Sequence, residues 1–307
     1  MLSLSDIVNV KVGIGRGVFE APGATVIGGK KPSFNLEILK LFANGEQGFW
    51  YDPNDLSTMY QDVAGTVPVT AVGQPVGLIL DKSKGLALGV EIAPSLTSMD
   101  GWSVIGSPTS GTVTSDGDSI TFNANGTSVL ALLKTGLSVD KWYKATITVA
   151  SVSGLFVVET ASGGFGFPIT APGTYSYFIR GRSNVYFRNN PNAITTAKIT
   201  AISVKELAGN HAYQSTSAAR PILQDAPRRI DFDAVDDKLI TNLPAQLTSC
   251  TVIRSVPNVG TQILTGQTIP ATYNDNKDHC GLIVINRALT PSETSAITAE
   301  LNKRAGV

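Results

Sequence analysis

The chain is poor in the side chains that most chemistry needs: 307 residues include two histidines and two cysteines. Cys250 and Cys280 cannot build a disulfide framework. They could pair with each other, but buried free thiols suit a chain made in a reducing cytoplasm. Charge is also scarce, with 24 basic residues offset by 24 acidic ones. No basic field exists to neutralise a phosphate backbone, so nucleic acid is not expected as a partner. Apolar runs are short, and Val129–Leu133 and Val76–Leu80 fall far below the ~20 residues of a membrane span. The opening Met1-Leu2-Ser3-Leu4-Ser5-Asp6 has no basic start and no continuous apolar stretch, which argues against a Sec-type signal peptide.

Hydrophobic residues and turn formers are plentiful, at 42% and 30 glycines. That composition supports packed cores built from short strands and turns rather than long surface helices. The expected class is mostly β: an antiparallel jelly-roll-like β-sandwich, small β-rich modules and a C-terminal helix.

Four segments emerge along the chain. Residues 1–32 read as an extended leader, in which Val8, Val10 and Val12 alternate with Asn9 and Lys11 before Gly13-Ile14-Gly15-Arg16-Gly17. Those glycines lack the spacing and following helix of a dinucleotide loop. A segment lying on another protein is expected, with closure of the protein's own sheet as the competing account. Residues 33–93 read as a small α/β connecting module. Phe34, Ile38, Leu41 and Phe42 share one helix face, with Asn44-Gly45 as the stop. Asp52-Pro53 predicts a second helix that turns Leu56, Met59 and Tyr60 to one side. Two apolar runs flanking Gly73-Gln74-Pro75 predict a hairpin or a paired edge.

Residues 94–208 alternate strand and turn. Ile120 with Phe122, then Ala145, Ile147 and Val149, then Val185 with Phe187, occupy alternate positions between turn clusters. Trp102 and Trp142 sit at strand starts and read as core. Residues 209–307 hold fewer strands, with candidates at Arg229–Asp233, Leu239–Ile240, Thr251–Val256, Gln262–Thr265 and Leu282–Ile285. A final helix is signalled by Thr290 as N-cap, Pro291 at the first position, Glu293 as capping-box partner and Gly306 beyond its end.

Three stretches resemble structural proteins of tailed-bacteriophage particles. Gly48-Phe49-Trp50-Tyr51-Asp52-Pro53, through Val69-Thr70-Ala71-Val72-Gly73-Gln74-Pro75-Val76-Gly77 to Leu80-Asp81-Lys82, is similar to a module recurring in tail-fibre and other appended virion proteins. Ile199–His211 resembles the last strand of a carbohydrate-binding-module-like jelly roll. Phe232-Asp233-Ala234-Val235-Asp236-Asp237, with Asp278-His279-Cys280-Gly281-Leu282-Ile283-Val284, resembles the opening and closing strands of laminin-G or concanavalin-like domains. The 209–307 stretch is shorter than a full laminin-G-like sandwich, so a reduced version is implied. The resemblance implies a non-enzymatic virion component of fibre, spike or decoration type, with other virion proteins as partners through the leader. It also implies a homotrimer, a virion location after assembly in the host cytoplasm, and host surface glycans as the alternative ligand.

Chemistry-bearing constellations are few. His279 beside Cys280 invites a nucleophile or metal site, but no second cluster supports either. The densest acidic group is Asp231, Asp233, Asp236 and Asp237, which reads as a solvated strand edge and turn, with paired-carboxylate catalysis or calcium binding as the competing readings. No catalytic residue, metal site or cofactor is assigned. For a sugar site, Tyr175, Tyr177, Tyr186 and Arg188 lie on adjacent strand candidates, where aromatic faces and polar groups can meet a saccharide. Core lining is the alternative for the tyrosines.

Overall fold

The computed structural model describes residues 33–107, 109–160, 166–191 and 193–307. The leader, with Val8, Val10, Val12 and its expected attachment role, lies outside the described residues, as does the Gly163-Gly164 turn. The first described segment carries α1 (Phe34–Leu41), β1 (Gly48–Tyr51), β2 (Met59–Tyr60) and β3 (Leu78–Ile79). Ser33 caps α1 by accepting from the Leu36 N–H, and Ile38 and Leu41 are buried beneath it.

Eleven strands follow: β4 (Leu88–Glu91), β5 (Ser103–Ile105), β6 (Gly111–Ser115), β7 (Ile120–Asn125), β8 (Ala131–Leu137), β9 (Trp142–Ser153), β10 (Phe156–Thr160), β11 (Phe167–Ile169), β12 (Gly173–Arg180), β13 (Ser183–Asn189) and β14 (Ile194–Leu207). They form two antiparallel sheets. One runs β11-β10-β13-β8-β5; the other runs β12-β9-β14-β7-β6, with β4 also on β14. From β7 to β14 the chain changes sheet at every connection except β10–β11, a jelly-roll-like order that turn spacing alone does not set. Period-two alternation explains the core. Ala145, Ile147 and Val149 point inward among Phe122, Phe156 and Phe187. On the outer face, Thr146 and Thr148 pair their hydroxyls with Ser176 and Thr174 across the strand, each at 3.0 Å. Trp102 and Trp142 are both buried.

The remaining elements are β15 (Ala212–Tyr213), β16 (Ile222–Gln224), β17 (Arg229–Asp231), β18 (Leu239–Asn242), β19 (Leu247–Val256), β20 (Gly260–Ile269), β21 (Thr272–Asp275), β22 (Gly281–Ile285) and α2 (Pro291–Ala305). They do not make a separate module. β1 enters the sheet β1-β22-β19-β20, and β2 and β3 enter β2-β3-β15-β18-β21. Residues 33–93 and 209–307, which sequence patterning separates, therefore share two sheets and one core containing Phe49, Tyr51, Leu223, Ile230 and Val284. The strands that a reduced C-terminal module would lack come from residues 48–79. α1 and α2 cover the outer face of the four-stranded sheet through Ile38, Leu41, Ile283, Ile285, Ile297 and Leu301. Thr290 and Glu293 close a capping box on α2, and Gly306 adopts the left-handed conformation at its end.

Two local expectations are corrected. The helix expected after Asp52-Pro53 is one 3-10 turn, Leu56–Thr58, followed by β2. Asp52 does accept from the Asn54 N–H at 3.0 Å, but its carboxylate is drawn into ion pairs with Lys82 (3.0 Å) and Arg304 (2.6 Å). Met59 is needed in the sheet, where it is fully buried. The hairpin expected around Gly73-Gln74-Pro75 is replaced by docking on Pro221–Leu223. Gly73 N donates to Leu223 O at 2.7 Å and Leu223 N to Gln74 O at 3.0 Å.

The jelly-roll-like sandwich is thus an insertion in a base sandwich, which the chain leaves after Asp81 and re-enters at Asn210. Asp81 clasps the two crossings. Its Oδ1 accepts from Trp50 N and Ser83 N at 2.8 Å, and its Oδ2 accepts from Asn210 N at 2.7 Å and Ser83 Oγ at 3.0 Å. Its own N–H donates to His211 Nδ1 at 2.8 Å. Gly209 permits this approach: its φ is +132°, and a Cβ there would stand 3.0 Å from Asp81 Oδ2. Burial raises the Asp81 carboxyl to about 6 and lowers the His211 imidazole to about 3.

Two outcomes follow from this packing. Ile147→Asp is expected to unfold the inserted sandwich, because a buried unpaired charge replaces a core side chain, while Thr148→Asp is tolerated. Urea denaturation showing equal tolerance would contradict the face assignment. The second outcome concerns pH. A base whose folded pKa is depressed contributes stability above its unfolded value that is lost on acidification, so His211 costs the natural chain stability as pH falls from 6.5 towards 3. Asp81 acts oppositely: its contribution is complete below its unfolded value and is lost as pH rises through about 6. His211→Asn keeps an acceptor for Asp81 N and removes only the first trend. Its stability deficit against the natural chain is expected to narrow by about 3 kcal/mol between pH 6.5 and 4. A pH-independent deficit in parallel urea titrations would refute this.

Candidate functional site

The two sandwiches meet through Val63, Leu78 and Leu80 of the base and Trp142, Phe178 and Leu207 of the insertion. Phe178 points out of β12 onto Tyr60, with ring centroids 5.2 Å apart, and its N–H donates to Ala64 O at 2.8 Å. Gly65 makes room for that ring, since a Cβ there would lie 2.2 Å from it. Docking of the loop at 62–66 against β12 leaves a cleft of about 530 Å³ beside the start of the strand.

Alternation along β12 sends Tyr175 and Tyr177 to the face opposite Phe178. Both lie at the margin of the insertion's core, where the edge strands β11 and β12 approach each other. Phe167 stacks on Tyr177 at 4.8 Å and 13°, and Tyr177 lies parallel to Tyr175 at 6.4 Å and 3°. The three rings form one series, with Phe167 and Tyr177 buried and Tyr175 half-buried. The Tyr175 hydroxyl donates to Ala171 O at 2.7 Å, which sets its ring orientation. Burial pushes the Tyr177 hydroxyl up to about 12, so it remains a protonated donor at neutral pH.

The base sandwich supplies the polar side of the cleft through Asp62, Thr66, Ser215 and Arg220. Asp62 Oδ1 accepts from Thr66 N at 2.8 Å, and Thr66 Oγ also donates to Asp62. Arg220 donates to Gln61 O at 2.9 Å and Gln214 O at 3.1 Å. Both charged groups are therefore held in place by the backbone. Aromatic faces on one wall and fixed polar groups on the other can hold a polyhydroxylated ring by C–H packing and hydrogen bonding.

The other two predicted residues are elsewhere. Val185 and Phe187 take the inward positions of β13, so Tyr186 and Arg188 face outward from the five-stranded sheet. Arg188 makes a two-pronged ion pair with Glu159, at 2.6 and 2.8 Å. The sequence-based quartet is thus divided between two sheets. Phe167, Asp62 and Arg220 were missed because strand pairing and module docking, not local pattern, bring them to the tyrosines.

The remaining candidates separate as clearly. Cys250 and Cys280 are free and buried, and burial lifts the Cys280 thiol to about 11, the opposite of an activated nucleophile. His279 Nε2 instead meets Asp275 at 2.9 Å, and Asp275 also pairs with Arg254 at 3.2 Å, a buried polar tie between the two base sheets. Asp231 pairs with Arg229. Asp233, Asp236 and Asp237 crowd one loop within 4.8 Å of each other instead of facing across a cleft. Asp233 Oδ1 is occupied by the N–H groups of Val235, Asp236 and Asp237.

Truncation separates the exposed ring from its support. Tyr175→Ala is expected to cost about 1 kcal/mol, near the value of one aromatic pair, and Tyr177→Ala about 3 kcal/mol or more, as for a buried aromatic. Urea denaturation giving equal losses would contradict the assignment of Tyr175 as the accessible ring.

No family model matches the chain, and no curated protein matches it. Among solved structures, two variants of a family 29 carbohydrate-binding module, studied for ligand recognition, are similar to it. Each has 13% sequence identity and a TM-score of 0.27. Each match covers 38% of this chain, and 90% and 89% of the respective module.

Proposed function

We propose that this protein is a non-catalytic component of a tailed-phage particle whose inserted sandwich binds host surface saccharides. The observation that carries the binding role is the Phe167–Tyr177–Tyr175 ring series opening onto a cleft whose far wall is polar and held by the backbone. Such a wall pair suits a pyranose, which is apolar on its faces and hydroxylated at its rim. The virion role rests on the sequence resemblance. Its first stretch supplies β1, β2 and β3 and its third supplies β22, both in the base sandwich, while its second runs from β14 of the insertion to the Asn210-His211 crossing. In this reading the base connects to the particle, with residues 1–32 as the attachment element, and the insertion is displayed. Trimeric self-association belongs to the same proposal.

The decisive measurement is a glycan array probed with the full chain and with Tyr175→Ala, beside Arg188→Ala as a control on the outward face. Saccharide binding reduced at least tenfold by Tyr175→Ala and unchanged by Arg188→Ala is the expected outcome. No saccharide binding, or loss only with Arg188→Ala, would overturn the cleft as the site.

A further inference from the structure

A second cleft lies beside the start of β9 and the end of β14, at Trp142, Glu206 and Leu207. It measures about 460 Å³ and again takes one wall from each sandwich. The insertion contributes Asp140, Lys141, Trp142 and Glu206, and the base contributes Leu243 and Pro244. Lys141 Nζ lies 2.7 Å from Glu206 Oε1, with both side chains substantially exposed. Asp140 is likewise half-exposed and paired with Arg180, which also lies over the Tyr213 ring. Trp142 is the floor, held edge-on against Tyr213 and His211 with ring centroids 5.8 and 5.7 Å away.

We infer that this cleft is a second saccharide site, selective for neutral oligosaccharides, which exists only where the two sandwiches meet. Charge matching supports the ligand class. Lys141 is matched by Glu206 and Asp140 by Arg180, so a charged ligand could bind one member of either pair only by stranding the other, and Lys84, also in the wall, already gives its ammonium to Glu46 O at 2.8 Å. A vicinal diol meets no such conflict. One hydroxyl accepts from the Lys141 ammonium while its neighbour donates to the Glu206 carboxylate, and the pair itself stays together. Exposed Pro244, beside the largely buried Leu243 and Trp142, offers apolar surface for the C–H face of the same ring. The inference takes from the proposed function only that the ligands are saccharides, and its residues are separate from the aromatic cleft.

The three tryptophans, Trp50, Trp102 and Trp142, give a local readout. The full chain is labelled with 5-fluorotryptophan, and the Trp142 resonance is assigned from its disappearance in Trp142→Phe. Maltotetraose, cellotetraose and mannotetraose are titrated in turn, with tetragalacturonate and a Lys-Glu peptide as class controls. At least one neutral tetrasaccharide is expected to move the Trp142 fluorine resonance and leave those of Trp50 and Trp102 in place. Lys141→Met with Glu206→Gln is expected to weaken that response at least tenfold, with unchanged Trp50 and Trp102 resonances reporting an intact fold. Tyr175→Ala is expected to leave it unaltered. The inference is overturned if no neutral saccharide moves Trp142, if only the acidic sugar or the peptide does, or if the double substitution has no effect. A silent Trp142 alongside Tyr175-dependent array binding overturns this site alone and leaves the aromatic cleft standing.

Discussion

A carboxylate buried away from water holds the two halves of this protein in register. Asp81 receives four hydrogen bonds from three separate parts of the chain, the start of the base, the outgoing crossing and the returning crossing. Removing a charge from solvent is costly, and these hydrogen bonds offset that cost only in part, leaving the carboxyl raised to about 6. His211 stays neutral beside it and accepts the Asp81 N–H. The base can therefore close its core around an interruption of more than 120 residues, because the ends of the interruption are brought together by short charge-assisted contacts.

From that junction the other features follow in order. Closing the base brings β3 beside β15, which places Leu78 and Leu80 under the insertion. Asp52, Lys82 and Arg304 form a second buried charged group nearby, tying the end of β1 and the crossing to the last turn of α2. Lys82 also lies over Trp50, at 4.5 Å from the ring. With the base fixed in this way, one cleft opens beside Tyr175 and Tyr177 of β12 and a second beside the start of β9 and the end of β14. Both clefts are properties of the docking. Each takes its lining from both sandwiches.

Local chemistry made several elements legible. Thr290, Pro291, Glu293 and Gly306 act within a few residues of each other, so α2 could be bounded from the sequence. The alternation of Ala145, Ile147 and Val149 with threonines specified a strand and its buried face, since successive side chains on a strand point to opposite sides. Asp52-Pro53 shows where such reasoning stops. The dipeptide suits a helix start, yet two cations distant in sequence claim the carboxylate and the sheet claims Met59 and Tyr60. The same limit explains the sugar-site quartet: adjacency of β12 and β13 along the chain said nothing of their assignment to different sheets.

The sequence by itself determined the mostly β class, the turn-punctuated alternation of the middle segment, the capped final helix and the lack of net charge. Each depends on composition or on neighbours within about one turn or one strand. Only the tertiary structure decided that residues 33–93 and 209–307 are one sandwich, that the segment between them is an insertion, and that Tyr175 and Asp62 line one cleft while Arg188 pairs with Glu159. Those outcomes depend on which strands pair across long loops. Loop-closure entropy grows only slowly with loop length, so distant pairings are selected by the burial they achieve and not by any pattern within the paired segments.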